Sequence, residues 1–183
     1  MTLPNRLTML RIALIPLFIF FALIDWVYAP IFALLLFAAA TITDKLDGYL
    51  ARKYDLVTSF GKIMDPLADK LLVGAAYLIF LAQGRMTIVP VLLIIAREYA
   101  VSSLRVVAMS EGRLLAAASS GKIKTAVQLV VAILFLMCPD RWLPWGGALE
   151  TALSWIAAAV TLWSGLDYFW TNRTLIHVGM RKE

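Results

Sequence analysis

A chain of 183 residues that is 62% hydrophobic and 16% charged, with a mean hydropathy of +0.83, carries more apolar surface than a soluble domain of that length can bury. It reads as an all-α integral membrane protein. The net charge of +5 does not point to nucleic acid, because the basic residues lie in short segments between apolar runs and not on a face interleaved with stacking aromatics.

The N-terminal NRLTMLRI, with Pro4 in the first helical turn, predicts a short interfacial helix running into span one, Ile12 to Ile24. Arg6 and Arg11 ahead of that run resemble a signal peptide, but Asp25, Trp26 and Tyr28 stand where a small-residue cleavage site would be, so the span is expected to be retained. Span two, Ile31 to Thr43, needs to continue as helix through Asp44 and Asp47 to approach the roughly 20 residues of a crossing. Span three is expected from near Asp65-Pro66 to Ala82, with Asp65 and Pro66 as N-cap and first helical residue or the helix starting earlier. Span four runs from Ile88 to Met109, span five from Ile123 to Cys138, and span six from Leu149 to Trp170.

Six spans put both termini on one side. Of the 17 Lys and Arg residues only Arg85 and Arg141 fall in the turns assigned outside, so the termini and the segment after span two are expected to be cytoplasmic. Trp26, Tyr28, Trp142 and Trp145 are expected to mark one interface, and Tyr168 and Trp170 the other. No repeat or linker divides the chain, and residues 1–183 read as a single membrane domain.

The polar stretch from Asp44 to Asp69 carries two carboxylate pairs, Asp44 with Asp47 and Asp65 with Asp69. Spacings of i,i+3 and i,i+4 put each pair on one helix face. Carboxylates crowded beside a bilayer are costly unless a cation is held there. With one cysteine, Cys138, and one histidine, His177, a thiolate or imidazole site is improbable, and oxygen ligands point to Mg²⁺, Mn²⁺ or Ca²⁺.

Written with its spacings, D-x2-D-G-x2-A-R-x8-G-x3-D-x3-D, the stretch resembles the signature of the CDP-alcohol phosphatidyltransferases, membrane enzymes of phospholipid synthesis. All eight fixed positions are filled, by Asp44, Asp47, Gly48, Ala51, Arg52, Gly61, Asp65 and Asp69. The resemblance implies that a CDP-linked lipid donates its phosphatidyl group to an alcohol with loss of CMP. It further implies a two-metal site of Mg²⁺ or Mn²⁺ held by Asp44, Asp47, Asp65 and Asp69, with Asp69 also the general base. Gly48, Ala51, Arg52 and Gly61 would then support the nucleotide of CDP-diacylglycerol. Members are generally homodimers, and a homodimer is expected here.

Four further segments, NRLTMLRIALIP, IIAREYAVSSLR, GKIKTAVQ and TLWSGLDYF, are similar to the bacterial branch of that family that makes phosphatidylglycerophosphate. That likeness implies sn-glycerol 3-phosphate as acceptor, a bacterial inner-membrane location and an active site facing the cytoplasm. The acceptor's phosphate needs several donors, and Arg97, Arg105, Lys122 and Lys124 are the candidates, with Thr125 and Gln128 one turn deeper. Glu98 neutralising Arg97 is the competing structural reading. Cardiolipin, phosphatidylserine or phosphatidylinositol-phosphate synthesis remains the alternative within the family. A small cation transporter is the alternative outside it, although transport sites favour mid-membrane depth.

Overall fold

The computed structural model describes residues 3–53, 59–110, 119–137 and 146–173, with side chains throughout except at 3–6, 45, 47–53, 59–63, 65, 66, 110 and 146. Within these residues the chain is all helix: α1 (Leu3–Leu23), α2 (Ala29–Lys53), α3 (Ser59–Ala82), α4 (Ile88–Ser110), α5 (Ser119–Met137) and α6 (Gly146–Thr171). The expected interfacial helix is not a separate element, because α1 runs without a break from Leu3 into the apolar run. α2 does continue through Asp44 and Asp47. α3 begins at Ser59, so Asp65 and Pro66 lie inside it and do not cap it.

The outside of the bundle is apolar. Phe20, Leu35, Leu92, Leu166 and Trp170 are exposed, while Thr8, Arg11, Lys124, Gln128, Thr161 and Ser164 are buried. This is the reverse of a soluble fold and suits a protein whose solvent is lipid. α5 and residues Gly147–Thr171 of α6 are each long and apolar enough to cross a membrane, and shorter apolar stretches cover Leu7–Leu23 and Ala29–Asp44. α6 is held by small and hydroxyl residues on its inner face. Ala157, Ala158, Ser154 and Thr161 are buried there, and the two hydroxyls donate back to the carbonyls of Glu150 and Ala157 at 2.6 Å. Small side chains let helices approach closely where the hydrophobic effect between them is weak.

One core joins the helices, with Phe18 against Phe37 (ring centroids 5.5 Å apart) and Phe80 against Phe135 (4.8 Å). At one end, α3 stops in a tight turn. Gly84 has φ of 72°, which a side chain disfavours, and Gly84 and Arg85 donate their N–H groups to Leu81 and Phe80. Arg85 lies in the turn between α3 and α4, as expected, but its side chain is buried. Its guanidinium bonds Glu150 of α6, with Nε–Oε1 at 2.7 Å, bonds the Phe135 carbonyl at 2.8 Å, and lies over the rings of Phe80 and Phe135. Trp26, Tyr28 and Trp170 are exposed, whereas Tyr168 is buried and packs against Arg105. Trp142 and Trp145 lie outside the described residues.

Candidate active site

Five side-chain links gather the polar residues at the other end of the bundle. Arg11 of α1 pairs with Asp44 of α2 at 2.6 Å, and the guanidinium is fully buried. Lys70 of α3 donates to the Ser102 hydroxyl of α4, and Lys124 of α5 pairs with Glu98 of α4. Arg97 of α4 donates to Ser164 Oγ of α6 at 2.9 Å, and Ser120 of α5 donates to Asp167 of α6 at 2.5 Å. Every helix is tied in. These links join the middle of α3 and the early turns of α5 to the middle and later turns of α4 and the later turns of α6.

Between α1, α3, α4 and α5 lies a cavity of about 290 Å³. Its polar end is made by Asp69, Lys70, Glu98, Lys124, Thr125 and Gln128. Its apolar arm is lined by Ile15, Ile19, Gly74, Leu78, Ile94 and Ile95. Leu71 and Leu78, which line the cavity on α3, are also exposed on the outside of the bundle, so the arm opens sideways toward lipid. A Cβ built on Gly74 meets nothing within 4 Å, which is the open arm seen from the helix.

Asp69 is the group without a fixed role in the packing. It makes no hydrogen bond or ion pair among the described residues, although it lies within electrostatic range of Asp44, Lys124, Glu98 and Arg11. A carboxylate at this depth with no partner is costly, and so marks a functional position. Asp44 and Asp69 thus stand near one another on α2 and α3, with Asp47 and Asp65 one turn away along the same helices. The side chains of Asp47, Gly48, Ala51, Arg52, Gly61 and Asp65 lie outside the described residues, and among those described no three carboxylate, thiol or imidazole groups converge on one point. Hard oxygen donors on two adjoining helices are nonetheless the donor set that Mg²⁺ or Mn²⁺ takes.

Of the four cations proposed for the acceptor, Lys124 lies within electrostatic range of Arg97 and Arg97 within range of Arg105, and Lys122 stands apart. Lys124 lines the cavity and its ammonium pairs with Glu98. Arg97 sits between Glu98 (3.5 Å) and Ser164, and its buried Nε has no hydrogen-bond partner among the described residues. Its stem crosses α6 at Gly165, where a Cβ would meet Arg97 Cγ at 3.0 Å, so this close approach depends on glycine. Arg105 stacks over Tyr168 at 5.5 Å and donates to its hydroxyl at 3.3 Å. Lys122 is exposed on α5 and does not line the cavity. Thr125 and Gln128 do line it, and Gln128 is held by Thr161 at 2.9 Å and, through its carbonyl, by the Tyr77 hydroxyl at 3.2 Å. Lys70 and Ser102 were not anticipated. Their only sequence signal is that a lysine follows the last aspartate of the motif.

A lipid-facing helical bundle with the motif aspartate Asp69 at the polar end of a laterally open cavity suits an enzyme that works on lipid headgroups. The sequence model of the CDP-alcohol phosphatidyltransferase family matches residues 1–163, and the chain belongs to that family. It is 42% identical over 168 residues to a CDP-diacylglycerol–glycerol-3-phosphate 3-phosphatidyltransferase of Rickettsia bellii, covering 91% of this chain and 93% of the relative. The protein of the same description from Bacillus subtilis is 42% identical over 184 residues, covering 93% and 94%. That of Salmonella typhimurium is 37% identical over 169 residues, covering 90% and 91%.

Proposed function

We propose that the chain transfers the phosphatidyl group of CDP-diacylglycerol to the 1-hydroxyl of sn-glycerol 3-phosphate, giving phosphatidylglycerophosphate and CMP. The unpartnered Asp69 carboxylate at the polar end of the cavity, beside Lys70 and Lys124, is the observation that carries this reading. Relatives of that description, similar over nine-tenths of their length, supply the acceptor.

Asp69 accepts the proton of the 1-hydroxyl. The oxygen then forms its bond to the phosphatidyl phosphorus as the bond from that phosphorus to the CMP oxygen breaks. Placing the carboxylate beside the hydroxyl contributes more than its basicity, because cations nearby make a carboxylate a weak base. Asp44, Asp47, Asp65 and Asp69 would hold a pair of Mg²⁺ or Mn²⁺ ions, which when bound neutralise the pyrophosphate and the charge growing on the leaving phosphate. Gly48, Ala51, Arg52 and Gly61 support the nucleotide. Lys124, Arg97 and Arg105 meet the acceptor phosphate, Arg97 with its spare Nε donor, and Lys122 draws the anion in from the surface.

The apolar arm takes an acyl chain of the donor, which enters from lipid between the helices. Each helix is read as a span of one multi-pass domain covering residues 1–183, with both termini and the site on the cytoplasmic side of a bacterial inner membrane and the enzyme a homodimer. The bias of Lys and Arg to one side supports that orientation.

The test is CMP release by purified protein with CDP-diacylglycerol, divalent metal and each candidate alcohol alone. Release with sn-glycerol 3-phosphate only, abolished by EDTA and restored by Mg²⁺ or Mn²⁺, is the expected outcome. Release with phosphatidylglycerol or an inositol phosphate instead would overturn the acceptor and keep the transferase.

A further inference from the structure

We propose that Lys70 is a binding residue for the phosphate of the acceptor and that Ser102 is the positioning residue that aims it, an assignment that rests on the acceptor proposed above. Lys70 follows Asp69 in α3 and both side chains line the cavity. Successive helical residues project about 100° apart, so one small ligand bound across the two places its hydroxyl at Asp69 and its far end at the ammonium. sn-Glycerol 3-phosphate has a hydroxyl at one end of a three-carbon chain and a phosphate at the other.

The pairing around Lys70 leaves its charge unanswered. Glu98, the half-buried acid of α4 within electrostatic range of Lys70, is shared between Lys124 and Arg97. Lys70 donates instead to a neutral hydroxyl, Ser102 Oγ. That hydroxyl gives its own proton to the Glu98 carbonyl at 2.5 Å, so its lone pairs are turned to the ammonium. An ammonium has three donors. With one committed to Ser102, two remain for phosphate oxygens.

The charge balance of the cluster leads to the same place. Lys70 lies within electrostatic range of Glu98, Arg105, Asp69 and Arg97, and Lys124 within range of Glu98, Arg97 and Asp69. With Arg11 and Asp44, which are in range of Asp69, five cations thus face three carboxylates among the described residues, an excess of two positive charges at membrane depth, where uncompensated charge is costly. A phosphate monoester near neutral pH carries about −1.5 to −2. A neutral polyol or a zwitterionic headgroup would leave the excess standing.

The test compares Lys70→Met, which keeps the stem and removes the charge, with Lys70→Arg. In Lys70→Met the KM for sn-glycerol 3-phosphate should rise ~10- to 100-fold, the loss of a charge-assisted contact, while the KM for CDP-diacylglycerol is unchanged. Lys70→Arg should recover most of the loss. Protection against thermal unfolding in detergent gives a second readout: sn-glycerol 3-phosphate should protect the wild-type and not Lys70→Met, and CDP-diacylglycerol should protect both. A rise in both KM values together, a fall in kcat alone, or equal protection of Lys70→Met by sn-glycerol 3-phosphate would overturn the assignment. Wild-type turnover with a different alcohol alone would instead overturn the acceptor, and is seen before any variant is scored.

Discussion

The two ends of this bundle hold similar residues in opposite states. At the Gly84 end Arg85 and Glu150 are buried, with side chains 8% and 7% exposed, and each is answered: guanidinium to carboxylate, remaining donor to the Phe135 carbonyl, flat faces to Phe80 and Phe135. At the Asp69 end, among the described residues, the cations outnumber the acids, Asp69 makes no hydrogen bond or ion pair, and Arg97 keeps a buried Nε without a hydrogen-bond partner. Both arrangements are expensive in lipid, but among the described residues only the first is complete. The incomplete one is where ligands supply the missing charge. Local balance, more than the presence of charged residues, separates a clamp from a site.

Substitution should therefore do different things at the two ends. Asp69→Asn removes the proton acceptor without changing size, and kcat should fall ~10²- to 10⁴-fold, the usual share of general acid–base catalysis. The folded protein should keep its melting temperature, because Asp69 makes no packing bond to lose. Arg85→Met strands the Glu150 carboxylate and should cost about 3–5 kcal/mol of stability, with KM for both substrates unchanged in the fraction that stays folded. Thermal denaturation in detergent alongside CMP release reads both. Replacing both partners, Arg85→Met with Glu150→Leu, should recover all but about 1 kcal/mol of that loss, since a buried pair is often no better than an apolar isostere. If the double variant stays as unstable as the single, the far end holds more than a clamp.

How far these features could be read from the chain varies with their range. Asp44 and Asp69 were legible because helical spacing is local, and α2 and α3 are helical through both aspartates. The start of α3 was placed near Asp65 because Asp65-Pro66 has the pattern of a cap and first helical residue, yet the helix begins at Ser59, where Thr58 and Ser59 offer the competing N-cap residue types. Tyr168 was assigned to the membrane interface on residue type, but its ring is the platform for Arg105, a contact across 63 positions. Arg85 with Glu150 and Lys70 with Ser102 are 65 and 32 positions apart. A lysine near a membrane surface reads first as an anchor. What turns Lys70 into a candidate ligand is the hydroxyl that meets it from another helix.

The smallest effect should come from the arm of the cavity that carries no charge at all. Gly74 is helical, so leucine there loses nothing in backbone terms and is the better helix former. With nothing within 4 Å of its Cβ, the new side chain has room and should project into the arm without straining the bundle. It then competes with whatever occupies that space. If the occupant is a donor acyl chain, excluding about two methylenes costs about 1.6 kcal/mol at roughly 0.8 kcal/mol each, or ~10-fold in KM for long-chain CDP-diacylglycerol. A donor with acyl chains too short to reach Gly74 should be used by Gly74→Leu as well as by wild-type, and the KM for sn-glycerol 3-phosphate should not move. Measuring KM along a series of donor chain lengths separates this from a general disturbance of the site, which would raise every KM regardless of chain. A flat series would mean that the arm is lipid-facing slack and that the donor's chains lie along another face of the bundle.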